Sequence, residues 1–244
     1  MIIKVRAMGV EDKQERHEAI LDAAEGMLER HPDGLANIAE IAEAAGLAKG
    51  TVYLYFPSKE AVFLGLHLRH VDIFFRDMIA TLRAPKAVTI NVLLEIVRKR
   101  IVRSKTYLPL ATMCFGMMER NVNLETACRF EAGIATRLDE AGGLLEQRFP
   151  QLARGEGVSM LMRSYALIIG LWQLLVPRAV MARQARAGIA VFARDYATEL
   201  DAAIVDLWEG TLAMSSVRPR RAFAGSTASR RAGVKSMKPR KQRA

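Results

Sequence analysis

The sequence of 244 residues predicts an all-α fold, with an N-terminal three-helix domain followed by a larger helical domain. Three observations support this class. No segment alternates apolar and polar residues with the period of two that marks a β-strand. Apolar residues instead recur every three or four positions, which is the period of an amphipathic helix. Prolines stand at or near the joints between the helical segments: Pro85, Pro109, Pro150 and Pro177.

The first three predicted helices are close together in the chain. The apolar periodicity predicts a first helix from about 13 to 30, which a His-Pro-Asp-Gly segment ends. A short second helix follows at about 37–45, with Asn37 as its N-cap. Gly46 then supplies a turn in which a positive φ costs little. The third helix covers about 49–56 and ends before a proline.

A long helix is predicted next, at about 59–82, with Ser58 as its cap. It is apolar around most of its circumference, which indicates burial on several sides. We therefore expect it to link the N-terminal unit to the larger domain. The remaining predicted helices are at roughly 88–104, 107–120, 123–148, 157–176 and 187–213.

The two short helices of residues 37–56 have the pattern of a helix-turn-helix. The first carries an apolar stripe that includes the small residues Ala42 and Ala45, which allow close approach. Val52 and Phe56 give the second helix its inward face. In such a unit the first helix braces the second, whose N-terminal end enters the major groove of DNA. The alternative is a helical hairpin that only packs against the core.

Residues on the outward side of the second helix are candidates for contacts with double-stranded DNA. Lys49 and Thr51 lie on its first turn, where side chains reach base edges or nearby phosphates. Gly50 permits close approach of the backbone. The other candidates donate to phosphate oxygens. The full predicted set is Lys49, Gly50, Thr51, Tyr53, Tyr55 and Lys59.

This part of the chain resembles the N-terminal domain of the tetracycline-repressor (TetR) family of bacterial transcriptional regulators. The resemblance covers about residues 13–64 and rests on Ile20–Ala24, Ile41-Ala42, Ala45-Gly46, Lys49–Tyr53 and Tyr55–Glu60. Two positions depart from the family pattern. Ala48 replaces the usual Ser or Thr that caps the recognition helix, and loss of a cap costs about 1 kcal/mol. Leu54 replaces a commonly polar residue.

The resemblance implies a ligand-responsive repressor that binds a near-palindromic operator as a homodimer. Together with the composition of the C-terminus, it predicts a division of the chain into four parts. These are an N-terminal arm (1–12), a DNA-binding domain (13–58), a ligand-sensing and dimerisation domain (59–214) and a basic tail (215–244).

The last two predicted helices carry apolar residues spaced alternately three and four apart, which is typical of helices that pack at shallow angles. Two such helices from each of two chains would form a four-helix dimer interface. The alternative is a seam within one chain. The predicted interface residues are Tyr165, Ile168, Tyr196, Leu200 and Leu207.

The C-terminal domain is also rich in methionine, whose side chain adapts to varied apolar shapes. A pocket between its helices would suit a small hydrophobic effector. Ordinary core packing is the alternative for each residue. The predicted pocket residues are Met113, Met117, Tyr165 and Trp172.

The net charge of +10 is concentrated at the C-terminus, because residues 218–244 hold ten Lys or Arg and no acid. Residues 1–59 hold seven basic and ten acidic residues, so bulk charge does not predict DNA binding there. The tail, which has little to bury, is predicted to be disordered and to attract polyanions. An alternative function is therefore a non-specific DNA-binding protein that depends on this tail.

A helical enzyme is a further alternative, but the sequence lacks a phosphate-binding glycine loop, a zinc-protease motif and a nucleophile elbow. We expect no enzyme activity and no cofactor. His67 and His70 share a helix face and are interpreted as partly solvated residues, not metal ligands. Cys114 and Cys128 are interpreted as buried core thiols. With two cysteines and no span of about 20 apolar residues, we expect a cytoplasmic protein without membrane contact.

Overall fold

The computed structural model describes residues 10–32, 34–120, 122–176, 183–184 and 186–215, and it confirms the all-α class. No strand occurs in these ranges. The arm before residue 10 and the tail after 215 lie outside the described residues. The helices are α1 Val10–Arg30, α2 Ile38–Ala44, α3 Lys49–Tyr53, α4 Lys59–Arg83, α5 Ile90–Val97, α6 Tyr107–Arg120, α7 Leu124–Arg148, α8 Glu156–Leu175 and α9 Tyr196–Ser215.

The predicted caps of the helix-turn-helix and of α4 are present. The Asn37 side chain accepts hydrogen bonds from the backbone amides of Ala39 and Glu40, at 2.9 and 3.1 Å. The Glu40 carboxylate in turn accepts from the backbone amide of Asn37 at 2.8 Å, which completes a capping box. Gly46 has a φ of 66°, and the Ser58 hydroxyl accepts from the amide of Ala61 at 3.1 Å.

Three predicted helix boundaries differ from the structure. The third helix ends at Tyr53 instead of residue 56, because residues 54–56 form turns. A π-helical turn at Arg98–Val102 continues α5. The predicted helix at 187–213 is divided into a 3₁₀ turn at Ala190–Phe192 and α9. Asp195 starts α9, since its carboxylate accepts from the Thr198 amide at 2.9 Å and competes with a continuous helix.

Two hydrophobic cores share α4, as its apolar circumference predicts. The N-terminal core joins α1, α2 and α3 to the first half of α4, and it also takes residues of α6 and α7. The C-terminal core joins the second half of α4 to α5, α8 and α9. The helix therefore connects the helix-turn-helix physically to the rest of the chain.

The α7 and α8 helices cross in unusually close contact. A Cβ atom on Gly157 would overlap the carbonyl group of Gly142, and a Cβ on Gly142 would lie 2.7 Å from the backbone nitrogen of Val158. The turn before α8 places Gly155 at a φ of 85°, and the Glu146 carboxylate accepts from its amide at 2.7 Å. Two glycines thus set the spacing of these helices.

The α8 helix has the length and hydropathy of a membrane span, although one such helix is weak support for a membrane protein. Only 22% of its most apolar stretch is buried by the chain itself. Leu161 and Ile168 lie in the C-terminal core, whereas Met162 and Leu174 are at least half exposed. The outer face of α8 therefore leaves apolar surface exposed.

Candidate nucleic-acid interface

The α3 helix is held on α2 and α4 by its apolar side. Val52 is fully buried and Phe56 is 6% exposed, and both pack in the N-terminal core with Ile41 and Ala42. Gly65 on α4 makes room for Phe56, since a Cβ there would lie 2.9 Å from the Phe56 ring. The position of α3 is thus fixed by close packing on two helices.

The opposite side of α3 is open. Lys49 and Gly50 are exposed, Thr51 is partly exposed, and Tyr53 is 48% exposed. Leu54 is 77% exposed, although it is apolar. As the departure at Ala48 predicts, the N-cap of α3 makes no side-chain hydrogen bond. The first turn of α3 is therefore accessible to a large partner.

A concave surface joins these residues to two helix N-termini. It is lined by Lys49 and Tyr53 of α3, by the start of α2, and by Ser58 and Lys59 at the start of α4. Helix N-termini carry partial positive charge and free amide groups, which favour phosphate oxygens. Two lysines beside two such termini make this surface suited to a polyanion.

Tyr55 does not join this surface, which corrects its predicted phosphate contact. Its hydroxyl is enclosed by protein and has no hydrogen-bond partner among the described residues. Its ring packs against the N-terminal core, 6.5 Å from the His17 ring. The physical reason is that α3 ends at Tyr53, so Tyr55 lies in a turn that directs it inward.

A cluster of charged side chains joins α1 to α4. The Arg69 guanidinium donates to Glu18 at 3.1 Å, to Asp22 at 2.6 Å and to Glu25 at 2.6 Å. We call these four residues the α1–α4 charge cluster. It fixes α1 to the helix that enters the C-terminal core.

Glu25 has a second set of partners, His70 on α4 at 3.0 Å and the hydroxyl of Thr106, just before α6, at 3.2 Å. The hydrogen bond and charge of His70, and then the charge of Arg69, lower the pKa of Glu25 to about 2. The carboxylate therefore stays ionised and holds three segments together.

A cavity of about 370 Å³ lies in the C-terminal domain, between α4, α5, α6, α7, α8 and α9. Its wall is mostly apolar, with the aromatic side chains of Phe74, Phe75 and Trp208. This volume is within the range of sites for small molecules. The cavity is therefore a candidate ligand site.

The structure places one of the four predicted pocket residues, Tyr165, on this cavity. Met113 and Met117 pack with the N-terminal core instead, and Trp172 packs edge-on against Tyr196 at 5.2 Å. These three positions are corrections. For the two methionines the reason is helix rotation, because Met118 and not Met117 lies on the side of α6 that faces the cavity. Trp172 lies one turn beyond Ile168, which is the last α8 residue on the cavity wall.

The predicted dimer residues fall into two groups, three that are buried within the chain and two that are partly exposed. Ile168, Tyr196 and Leu200 are buried in their own chain, and the Tyr196 hydroxyl donates to the Ile168 carbonyl at 3.1 Å. This burial corrects their assignment to an interface between chains, and the seam they form is intramolecular. Tyr165 and Leu207 are only partly buried.

His67 and Cys128 also differ from prediction. His67 is 1% exposed instead of partly solvated, and burial lowers its pKa to about 3. Cys128 is exposed, whereas Cys114 is buried as expected and burial raises its pKa to about 12. The described residues include no group of three or more His, Cys, Asp or Glu side chains placed to hold a metal ion.

Two family descriptions match the chain. Residues 20–66 match "Bacterial regulatory proteins, tetR family", and residues 68–215 match "Tetracyclin repressor-like, C-terminal domain". The HTH-type transcriptional regulator EthR of Mycobacterium tuberculosis (strain H37Rv) is 46% identical over 58 residues, which are 24% of this chain and 27% of EthR. The chain thus spans about a quarter of the length of this relative.

Solved structures support the same fold over most of the chain. A crystal structure from Pseudomonas aeruginosa PAO1 has a TM-score of 0.58 at 17% identity and covers 89% of this chain and 99% of its own. The fatty acid degradation regulator FadR from Bacillus halodurans has a TM-score of 0.53 at 19% identity, with 79% and 94% covered. Because one matching family domain covers more than half of the chain, and because the helix-turn-helix precedes it, the chain belongs to the TetR family of bacterial transcriptional regulators, which are DNA-binding proteins and not enzymes.

Proposed function

We propose that the chain is a repressor that binds a near-palindromic operator as a homodimer and leaves it when a small hydrophobic molecule enters the cavity. The observation that carries this proposal is the double role of α4. Lys59 at its start lies on the concave surface beside α3, and five of its residues between His67 and Met78 line the cavity. One rigid helix thus connects the two sites.

Lys49 and Thr51 are proposed to read base edges in the major groove, since they occupy the first turn of α3. Tyr53 and Lys59 are proposed to bind phosphates that fix the register of the protein on the duplex. Gly50 would let the backbone approach the DNA closely. Leu54, which is exposed beside these residues, would add an apolar contact to the DNA.

The dimer is proposed to form through the outer faces of α8 and α9. Exposed residues on α8 recur every four positions at Met162, Ala166, Gly170 and Leu174. On α9 the exposed residues include Ala202, Gly210 and Ala213. Small residues at helical spacing allow close approach of two helices, and the two faces together would form a four-helix interface. Such a dimer must present its recognition helices about 34 Å apart, or at a multiple of that repeat.

The proposed release is a shift between two states of α4. A ligand can shift this equilibrium only by its difference in affinity for the two states, typically 1–3 kcal/mol. The α1–α4 charge cluster would transmit a movement of α4 to α1, because Arg69 holds three α1 carboxylates. The spacing of the two recognition helices would then no longer match the operator.

The remaining assignments are part of the same proposal. Residues 13–58 would serve DNA binding, residues 59–214 sensing and dimerisation, and the protein would act in the cytoplasm. The basic tail at 215–244, of which the residues after 215 lie outside the described ranges, is proposed to add non-specific attraction to DNA. Its deletion is expected to weaken DNA binding and to flatten the dependence on salt. Unchanged affinity and slope would contradict this role.

The test is a footprint on the DNA that flanks the gene of this protein, followed by titration with that site and with random DNA. A repressor should prefer its site by about 10³ or more at about 150 mM salt. Equal affinity for both would refute the proposal and favour a non-specific DNA-binding protein.

Lysine variants refine the test. Lys59→Ala is expected to weaken binding to all sequences equally and to lower the salt slope by about 1, as for one lost phosphate contact. Lys49→Ala should also lower the preference for the specific site. Lys86→Ala is a matched control, because Lys86 is exposed beyond the end of α4, away from the concave surface.

A further inference from the structure

We propose that the effector is an uncharged molecule with a long apolar body and one hydrogen-bonding group, which lies at the His67 end of the cavity. This inference rests on the proposed role of the cavity as the effector site. It adds a chemical class for the ligand and a residue that would select it.

The charge of the wall excludes anions. Among the described residues that line the cavity there is no Lys and no Arg. The one carboxylate is Glu131, which is exposed on α7. His67 is uncharged at neutral pH because burial lowers its pKa. A carboxylate ligand would lose its hydration here without gaining a counter-charge, which is costly.

The shape of the cavity favours a long ligand. Its lining on α4 extends from His67 to Met78 through Val71, Phe74 and Phe75. At 1.5 Å per residue these eleven steps correspond to about 16 Å. The wall around the middle and far parts is supplied by apolar side chains, such as Leu93 and Leu94 of α5.

Unused hydrogen-bonding capacity lies at the other end of the cavity, around His67. The Nδ1 atom of His67 is enclosed and has no hydrogen-bond partner in the described chain. The rings of His67 and Tyr107 are 5.2 Å apart, and both line the cavity. The polar groups of Ser164 and Trp208 are instead paired with each other at 2.9 Å. A polar group on the ligand would pair with His67 at this end after the imidazole turns, because Nδ1 is closed off from the cavity in this structure.

The test uses the full chain and three probes of equal length: octan-1-ol, octanoate and 1-bromooctane. Trp208 lines the cavity, so tryptophan fluorescence reports binding. At a pH well above the ordinary carboxyl pKa of about 4.3, octanoate is ionised. We expect octan-1-ol to bind at least about tenfold more tightly than octanoate. Octanoate that binds equally well or better, or a failure of every probe to bind, would overturn the inference.

Variants at His67 test the selecting residue. His67→Phe keeps an aromatic ring but removes hydrogen bonding, and it should lower the affinity ratio of octan-1-ol to 1-bromooctane about tenfold. His67→Gln, which retains a donor and an acceptor, should keep most of this ratio. A ratio unchanged in His67→Phe would refute the role of His67, because a purely structural effect would weaken both probes together.

The same samples are titrated with the footprinted DNA site in the absence of a probe. Loss of specific DNA binding by the unmodified chain would contradict the proposed function. Intact DNA binding together with a preference for octanoate would contradict only the ligand class.

Discussion

The α1–α4 charge cluster gives a direct test of how firmly the DNA-binding helices are attached to α4. Replacement of Arg69 by Met keeps most of the side-chain volume and removes the positive charge. Arg69 is only 19% exposed, and Glu25 is 29% exposed, so their interaction is partly shielded from water. Asp22 is 70% exposed and should contribute little. Three carboxylates would also be left facing one another.

We expect Arg69→Met to lower the free energy of unfolding by about 2 kcal/mol, between the small value of an exposed ion pair and the larger value of a buried one. For a chain of this size that corresponds to a decrease in Tm of about 4–8 °C. Thermal unfolding followed by circular dichroism measures it, at one protein concentration because the Tm of a dimer depends on concentration.

The matched control is Arg129→Met. Arg129 pairs with Glu125 on α7, but their side chains are 74% and 78% exposed, and such pairs contribute about 0.3–0.5 kcal/mol. If Arg69→Met lowers the Tm no more than Arg129→Met does, the cluster does not hold α1 on α4. The proposed transmission from α4 to α1 would then lose its physical basis.

Three further outcomes are expected. Gly142→Ala should destabilise the chain by about 1–3 kcal/mol in urea unfolding, because the added Cβ meets the backbone of α8. The adjacent Gly143→Ala, whose Cβ enters open space, should instead stabilise the chain by about 0.5–1 kcal/mol. Equal effects of the two substitutions would contradict the close crossing of α7 and α8. The pKa of Glu25 is lowered from 4.5 to about 2, so the stability that this carboxylate gives the fold is present above pH 4.5 and is lost as the pH falls towards 2. Glu25→Gln should flatten this loss of stability in acid titrations followed by circular dichroism. An unchanged profile would contradict the stabilising role of Glu25. Leu174→Arg should produce monomers in analytical ultracentrifugation, while Leu124→Arg, at a leucine of α7 that is even more exposed, should not; dimers that persist in Leu174→Arg would place the interface elsewhere.

Local signals in the sequence were sufficient to predict the capped ends of the N-terminal helices. Asn37, Gly46 and Ser58 act on their own neighbouring backbone, so their roles are visible in a few residues of sequence. Tyr55 was misassigned because the helical period was extended past Tyr53, where the helix ends. A difference of one turn in length was enough to reverse the direction of a side chain.

The cavity and the proposed dimer face depend on tertiary packing and were harder to predict from the sequence. The cavity takes residues from six helices, and α4 is apolar around most of its circumference, so no periodicity separates His67 from its neighbours. The most regular apolar stripe, which includes Ile168 and Leu200, fills the core of the chain. The outer face of α8 mixes small, polar and apolar residues, and burial was needed to identify it.

The sharing of α4 between two cores limits how the chain can be divided or recombined. Residues 10–58 end before Val62, Phe63 and Leu66, which are fully buried in the N-terminal core. A fragment cut at residue 58 would expose the apolar faces of α1 and α2 to water and should not fold by itself. An exchange of the DNA-binding domain for that of another protein would therefore have to include the first half of α4 together with the recognition helix.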